Sequence, residues 1–128
     1  MCQPVKLAVV TGTRAEYGLL RPVIRKLMAR PDARLSVLVT GAHLAAEYGN
    51  TVAEIEADGV PIAARIPILV PGESGPLATA DAVEKAIHGF VRWFAERRPA
   101  CVLVLGDRYE IFAAAQAAAF ARVPVAHI

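Results

Sequence analysis

The feature that most constrains the fold is an alternation, in which short runs rich in β-branched residues take turns with longer stretches whose apolar residues recur at helical spacing. Strands that alternate with amphipathic helices build βαβ units and a parallel sheet. The strand runs are Val5 to Thr11, Leu35 to Thr40, a weaker one near Pro61 to Ile66, Cys101 to Leu105, and Val125 to the end. Several are apolar on both faces, as a sheet covered by helices on each side requires. Between them, Leu20, Ile24, Leu27 and Met28 mark one helix, closed before Pro31. Val83, Ile87, Val91 and Phe94 mark another, with Asp81 and Glu84 as a capping box and Pro99 as the stop. A third helix, from about Tyr109 to Ala121, carries Ile111, Ala115, Ala118 and Ala119 for close packing, and a shorter one from about Thr51 to Ala57 stops at Gly59. Right-handed crossovers then predict an α/β, Rossmann-like, doubly wound sheet of about five strands in the order 3-2-1-4-5. The stretch Val70 to Leu77, with Gly72, Gly75 and two prolines, reads as a mobile flap.

Composition narrows the partners. The 128 residues suit a single core, and 55% hydrophobic against 20% charged residues excludes a disordered chain. Fourteen Lys and Arg against twelve Asp and Glu leave a net charge of only +2, with the basic residues scattered among acidic ones. Neither a nucleic-acid groove nor a polybasic membrane patch is expected. Charged residues interrupt every apolar stretch, and no signal peptide is expected near Lys6. Cys2 and Cys101 lie far apart, which argues against a disulfide framework or a metal cluster and for a soluble, cytoplasmic protein.

In such a sheet ligands bind at the carboxyl ends of the strands, where the strand order reverses, here between the first and fourth strands. Two loops meet that position: Thr11 to Gly18, "TGTRAEYG", and Leu105 to Glu110, "LGDRYE". Each has a Gly at the turn and then an arginine near a helix amino end, so Arg14 and Arg108 suggest a clamp for a phosphate or diphosphate. The dinucleotide fingerprint is missing, because Arg14 stands where its second glycine belongs, and there is no G-K-[ST] loop for a nucleoside triphosphate. Asp107 is the carboxylate next to the crevice, yet Asp107 with Glu110, like Thr13 with Glu16, also fits a capping box that merely closes a helix start. Glu16 reads as structural. His43, after the second strand, points to the same edge as either a loop hydrogen-bonder or a site residue. His127 is either a core histidine or the rim of the site, His88 a surface or packing residue, and Tyr17 and Trp93 packing residues.

The runs "VVTGTRAEYGLLRPVI", "VTGAHLAAEYGNTVAEIEADG" and "LVLGDRYEIFAAAQAAAFARVPVAHI" resemble the amino-terminal domain of the hydrolysing UDP-N-acetylglucosamine 2-epimerases, nearest to the sialic-acid and legionaminic-acid branch. The resemblance implies the amino-terminal half of a glycosyltransferase-B type fold, residues 1–128 forming one of two facing Rossmann-like domains. It implies UDP-N-acetylglucosamine or a related UDP-sugar as substrate, UDP and N-acetylmannosamine as products, a 2-acetamidoglucal intermediate, and no metal or redox cofactor. It places Arg14 near the UDP phosphates, Gly18 at a nucleotide contact, Arg108 and His43 at substrate-binding positions, and Asp107 in acid–base chemistry. In the family "PVAHI" is followed by "HGGE", a further carboxylate and a uridine-binding domain, whereas this sequence stops at Ile128. The expectation is therefore a fragment with little or no turnover alone, and one that self-associates as the family's dimers do. Alternatives are a non-catalytic nucleotide-sugar-binding domain and a glycosyltransferase of the same fold.

Overall fold

A computed structural model describes residues 2–128. Five parallel strands, β1 (Val5–Thr11), β2 (Ala33–Thr40), β3 (Ile62–Ile66), β4 (Cys101–Val104) and β5 (Val125–His127), form one sheet in the order β3-β2-β1-β4-β5. This is the order expected from right-handed crossovers, and it puts the reversal between β1 and β4. Helices α1 (Arg14–Met28), α2 (Val52–Ala57), α3 (Pro76–Arg97) and α4 (Tyr109–Phe120) connect the strands, with short 3-10 turns at Gly41–Leu44 and Ala46–Tyr48.

Alternation along the strands feeds two separate cores. On one face Val9, Val37 and Val39 pack against Tyr17, Leu20 and Ile24 of α1 and Ile55 of α2. On the other, Ala8, Val10, Leu38, Val102 and Val104 pack against α3 and α4. The inward face of α3 is Ala82, Ala86, Phe90 and Phe94, with Val83, Ile87 and Val91 flanking it half-buried. Alanines on α4 bring that helix close, through Ala113, Ala114, Ala117 and Ala118 rather than Ala115 and Ala119. Tyr17 is a core residue, as expected, and its hydroxyl donates to Asp58 Oδ2 at 2.6 Å across to the end of α2.

Two local expectations are corrected. Helix α3 starts at Pro76, inside the stretch expected to be a flap, and Asp81 and Glu84 lie within the helix instead of capping it. Proline is favoured at the first helical position, where its missing N–H costs nothing, and the alanines that follow extend the helix upstream of the apolar stripe. Strand β2 begins two residues early because Ala33 and Arg34 pair with Val5 and Lys6. Among the described residues no helix is long and apolar enough to cross a membrane.

Candidate functional site

The crevice is built where β1 and β4 deliver their loops side by side. After β1 the chain turns at Gly12 and enters α1 through Thr13, whose Oγ1 accepts the Glu16 N–H at 3.3 Å. The other half of the expected capping box is displaced by one residue, since Glu16 Oε1 accepts the Gly12 N–H at 2.7 Å. After β4, Gly106 turns at φ 84°, the left-handed region that favours glycine, and so presents Asp107 and Arg108 at the crevice. Helix α4 has no side-chain cap. Asp107 therefore does not close the helix, and the reading of it as a cap is removed. It is exposed, and with Phe112 and His127 it lines a cavity of about 310 Å³.

The arginines are placed differently from one another. Arg108 Nε donates to Glu110 Oε1 at 2.6 Å, while half of its side chain stays open to solvent. Arg14 is the first residue of α1 and turns toward α2, where its Nε lies 3.0 Å from Glu54 Oε1. The expected two-arginine clamp is thus not closed in this structure. Each arginine is nevertheless at a helix amino end and well exposed, and an exposed pair such as Arg14–Glu54 contributes only about 0–1 kcal/mol, so a diphosphate can compete for it.

His43 and Gly18 fall on either side of the surface. Gly18 is exposed on α1, and a Cβ there would meet nothing within 4 Å, which leaves open space beside the helix. His43 is wholly buried beneath the crevice. Its Nε2 is 2.9 Å from Thr11 Oγ1 and its Nδ1 2.8 Å from Thr51 Oγ1, so neither ring nitrogen is left for a ligand. Burial holds its pKa down, at about 4, against the opposing pull of Glu54 and a Thr13 backbone bond, and the ring is neutral. Its place is that of a strut tying β1 to α2, not a contact in the cleft. His127 is at the rim: its Nε2–H donates to the Gly106 carbonyl at 2.8 Å, fastening β5 to the loop that carries Asp107.

Glu110 is the residue that sequence reasoning missed. Read as half of a cap, it is instead fully buried on the inward face of α4. The available signal was its spacing, because Glu110 stands three, four and seven residues before the inward Ala113, Ala114 and Ala117, heading an otherwise apolar stripe. Glycine at position 12 makes room for it: a Cβ there would sit 2.6 Å from Glu110 Cγ.

Fold and crevice together define a class, a Rossmann-like α/β domain with cationic helix starts and a carboxylate at its switch point. Residues 25–128 match the family described as UDP-N-acetylglucosamine 2-epimerase, and the chain belongs to that family. It is 45% identical over 123 residues to the UDP-N,N'-diacetylbacillosamine 2-epimerase (hydrolyzing) of Legionella pneumophila, covering 96% of this chain and 32% of that protein. It is 36% identical to the polysialic acid biosynthesis protein P7 of Escherichia coli, covering 96% of this chain and 31% of that protein. The chain thus spans about a third of the length of the curated relatives it matches. The crystal structure of UDP-GlcNAc 2-epimerase from Neisseria meningitidis bound to UDP-GlcNAc superposes with a TM-score of 0.81 at 26% identity, over 97% of this chain and 31% of that one.

Proposed function

We propose that this chain forms one wall of the sugar-nucleotide site of a hydrolysing 2-epimerase, with a UDP-linked 2-acetamido sugar as substrate. The observation that carries the reading is the loop after β4, where Gly106 presents an uncapped, exposed Asp107 beside Arg108 at the switch point. Family membership supplies the class of reaction. Arg108 and Arg14 hold the diphosphate, Gly18 lets the nucleotide approach α1, and His43 fixes the floor. In the chemistry proposed, a base takes the C2 proton while the C1–O bond breaks and its electron pair leaves on the UDP phosphate. Water then adds to the resulting glucal, hydroxyl at C1 and proton at C2 on the opposite face, so UDP-N-acetylglucosamine and water give UDP and N-acetylmannosamine. Asp107 handles one of the proton transfers.

Transition-state stabilisation requires both the leaving diphosphate and the reacting ring to be held, and residues 1–128 provide one side of that grip. The facing wall is a uridine-binding domain. Alone, the chain is expected to bind UDP-sugar weakly and to show little turnover; mixing it with the carboxyl-terminal domain of a relative should restore UDP release. Asp107→Asn should then remove most of that activity, and unchanged rates in the variant would strip Asp107 of its role. The diacetylated sugar in the Legionella relative's name makes UDP-N,N'-diacetylbacillosamine the first competitor to UDP-N-acetylglucosamine, and comparing kcat/KM for the two decides between them. The protein acts in the cytoplasm, where nucleotide sugars are made. Self-association belongs to the same proposal: α4 leaves Phe112 and Phe120 62% and 66% exposed, and sedimentation should show dimers.

A further inference from the structure

Two buried glutamates remain that this chemistry does not use, and they converge on one residue. Glu16 is 6% exposed and accepts the Gly12 N–H through Oε1 at 2.7 Å. Glu110 is 0% exposed; its Oε1 accepts from Arg108, but its Oε2 has no hydrogen-bond partner. Its carboxyl lies against Gly12, whose added Cβ would meet Glu110 Cγ at 2.6 Å and Oε1 at 2.8 Å. A buried acceptor without a donor and two carboxylates beside a single guanidinium are each unfavourable if both glutamates are ionised. A proton on Glu16 removes one of the two like charges set near Arg108.

We propose that Glu16 and Glu110 act as one carboxyl pair sharing a single proton, and that this pair aims the Arg108 guanidinium at the diphosphate of the bound sugar nucleotide. The second half rests on the function proposed above; the first rests on two buried carboxyls set against Gly12 and on the unpartnered Glu110 Oε2. The surroundings agree with it. Burial is the main cause raising the Glu16 pKa, to about 7, and the charge of Glu110 adds to it. The Gly12 N–H, the Thr11 hydroxyl and the Arg108 charge oppose it. Above that pH Glu16 adds a negative charge near Arg108, which holds the guanidinium more tightly and repels an anionic ligand. The glutamates are therefore positioning residues, and their ionisation weakens substrate binding without their touching substrate.

The test follows side-chain carboxyl 13C signals and the Arg108 Nε–H signal by NMR in the ligand-free chain, through a pH titration. One glutamate should keep its protonated shift until about pH 7, and the Arg108 signal should move with the same midpoint. In Glu110→Gln that midpoint should fall as the like charge is removed. Should that variant not fold, Glu16→Gln serves, and the near-neutral titration should vanish from it. Every glutamate titrating near the ordinary value of 4.5 would overturn the shared proton. In parallel, UDP-N-acetylglucosamine is the probe, since its diphosphate diester does not titrate near neutrality. Its affinity should fall as pH rises through the pair's midpoint in the wild-type chain, by at most about tenfold per pH unit, and stay flat in Glu16→Gln. Binding that is equally flat in both would overturn the aiming of Arg108. A near-neutral carboxyl titration with no UDP-N-acetylglucosamine binding at any pH would instead leave the pair standing and sink the sugar-nucleotide reading.

Discussion

The carboxyl end of β1 separates two buried polar regions that share the Thr11–Gly12 segment and end differently. Toward β2, His43 has both ring nitrogens engaged by Thr11 and Thr51, and its ring meets that of Tyr17 in a T-shaped pair with centroids 6.1 Å apart. Toward β4, Glu110 keeps one oxygen unpartnered and the Glu16–Glu110 region holds more carboxylates than cations. A buried polar group with every partner in place behaves as structure. One left incomplete at a switch point is poised to respond to a proton or to a ligand. On the proposed function, the β2 side braces the fold and the β4 side meets the ligand.

The largest effect expected is on the first side. His43→Ala removes a buried ring and its hydrogen bonds to Thr11 and Thr51, which should cost about 2–5 kcal/mol in denaturant unfolding. A loss within experimental error would mean the strut carries nothing.

The two sides should also respond to pH with opposite sign. The folded-state pKa of Glu16 is raised from 4.5 to about 7, so its stabilisation is complete below pH 4.5 and is lost as pH rises through 7. That of His43 is lowered from 6.5 to about 4, so its contribution is present above pH 6.5 and is lost as pH falls through 4. Between those limits the slopes oppose each other. His43→Asn should therefore expose a stability that falls with rising pH, by up to about 3 kcal/mol. Glu16→Gln should expose one that rises. Parallel pH profiles in the two variants would break the comparison.

Gly12→Ala probes the shared segment. The added methyl meets the Glu110 side chain, and overpacking of this kind costs about 1–3 kcal/mol. It should also displace Arg108 and weaken UDP binding, which calorimetry would detect. The smallest effect is expected away from both sides: Arg14→Gln should change stability by less than about 1 kcal/mol, because its pair with Glu54 is exposed, while lowering affinity for UDP. A large loss of stability there would make Arg14 a structural residue.

The fold and half of this site are legible in the sequence because they rest on local signals. Strand runs, helical stripes and turn glycines give the sheet order, and the loop after β4 announces Asp107 and Arg108. Capping patterns were the weak point. Thr13 with Glu16, Asp81 with Glu84, and Asp107 with Glu110 look alike in sequence, yet only Thr13 caps its helix. What separates them is non-local: α3 begins upstream at Pro76, and Glu110 turns inward because β1 brings Gly12 against it. His43 likewise reads as a crevice residue until the approach of Thr51 closes over it.

The central claim, that the β1–β4 edge is where a UDP-sugar sits, is tested most directly by adding UDP to the isotopically labelled chain and following its backbone amide resonances. The account predicts saturable shifts gathered at Gly12 to Gly18 and Gly106 to Tyr109, with His43 and its threonines nearly still. Shifts concentrated at the opposite end of the sheet, around Lys6, Arg34 and Arg97, or none at millimolar UDP, would contradict it.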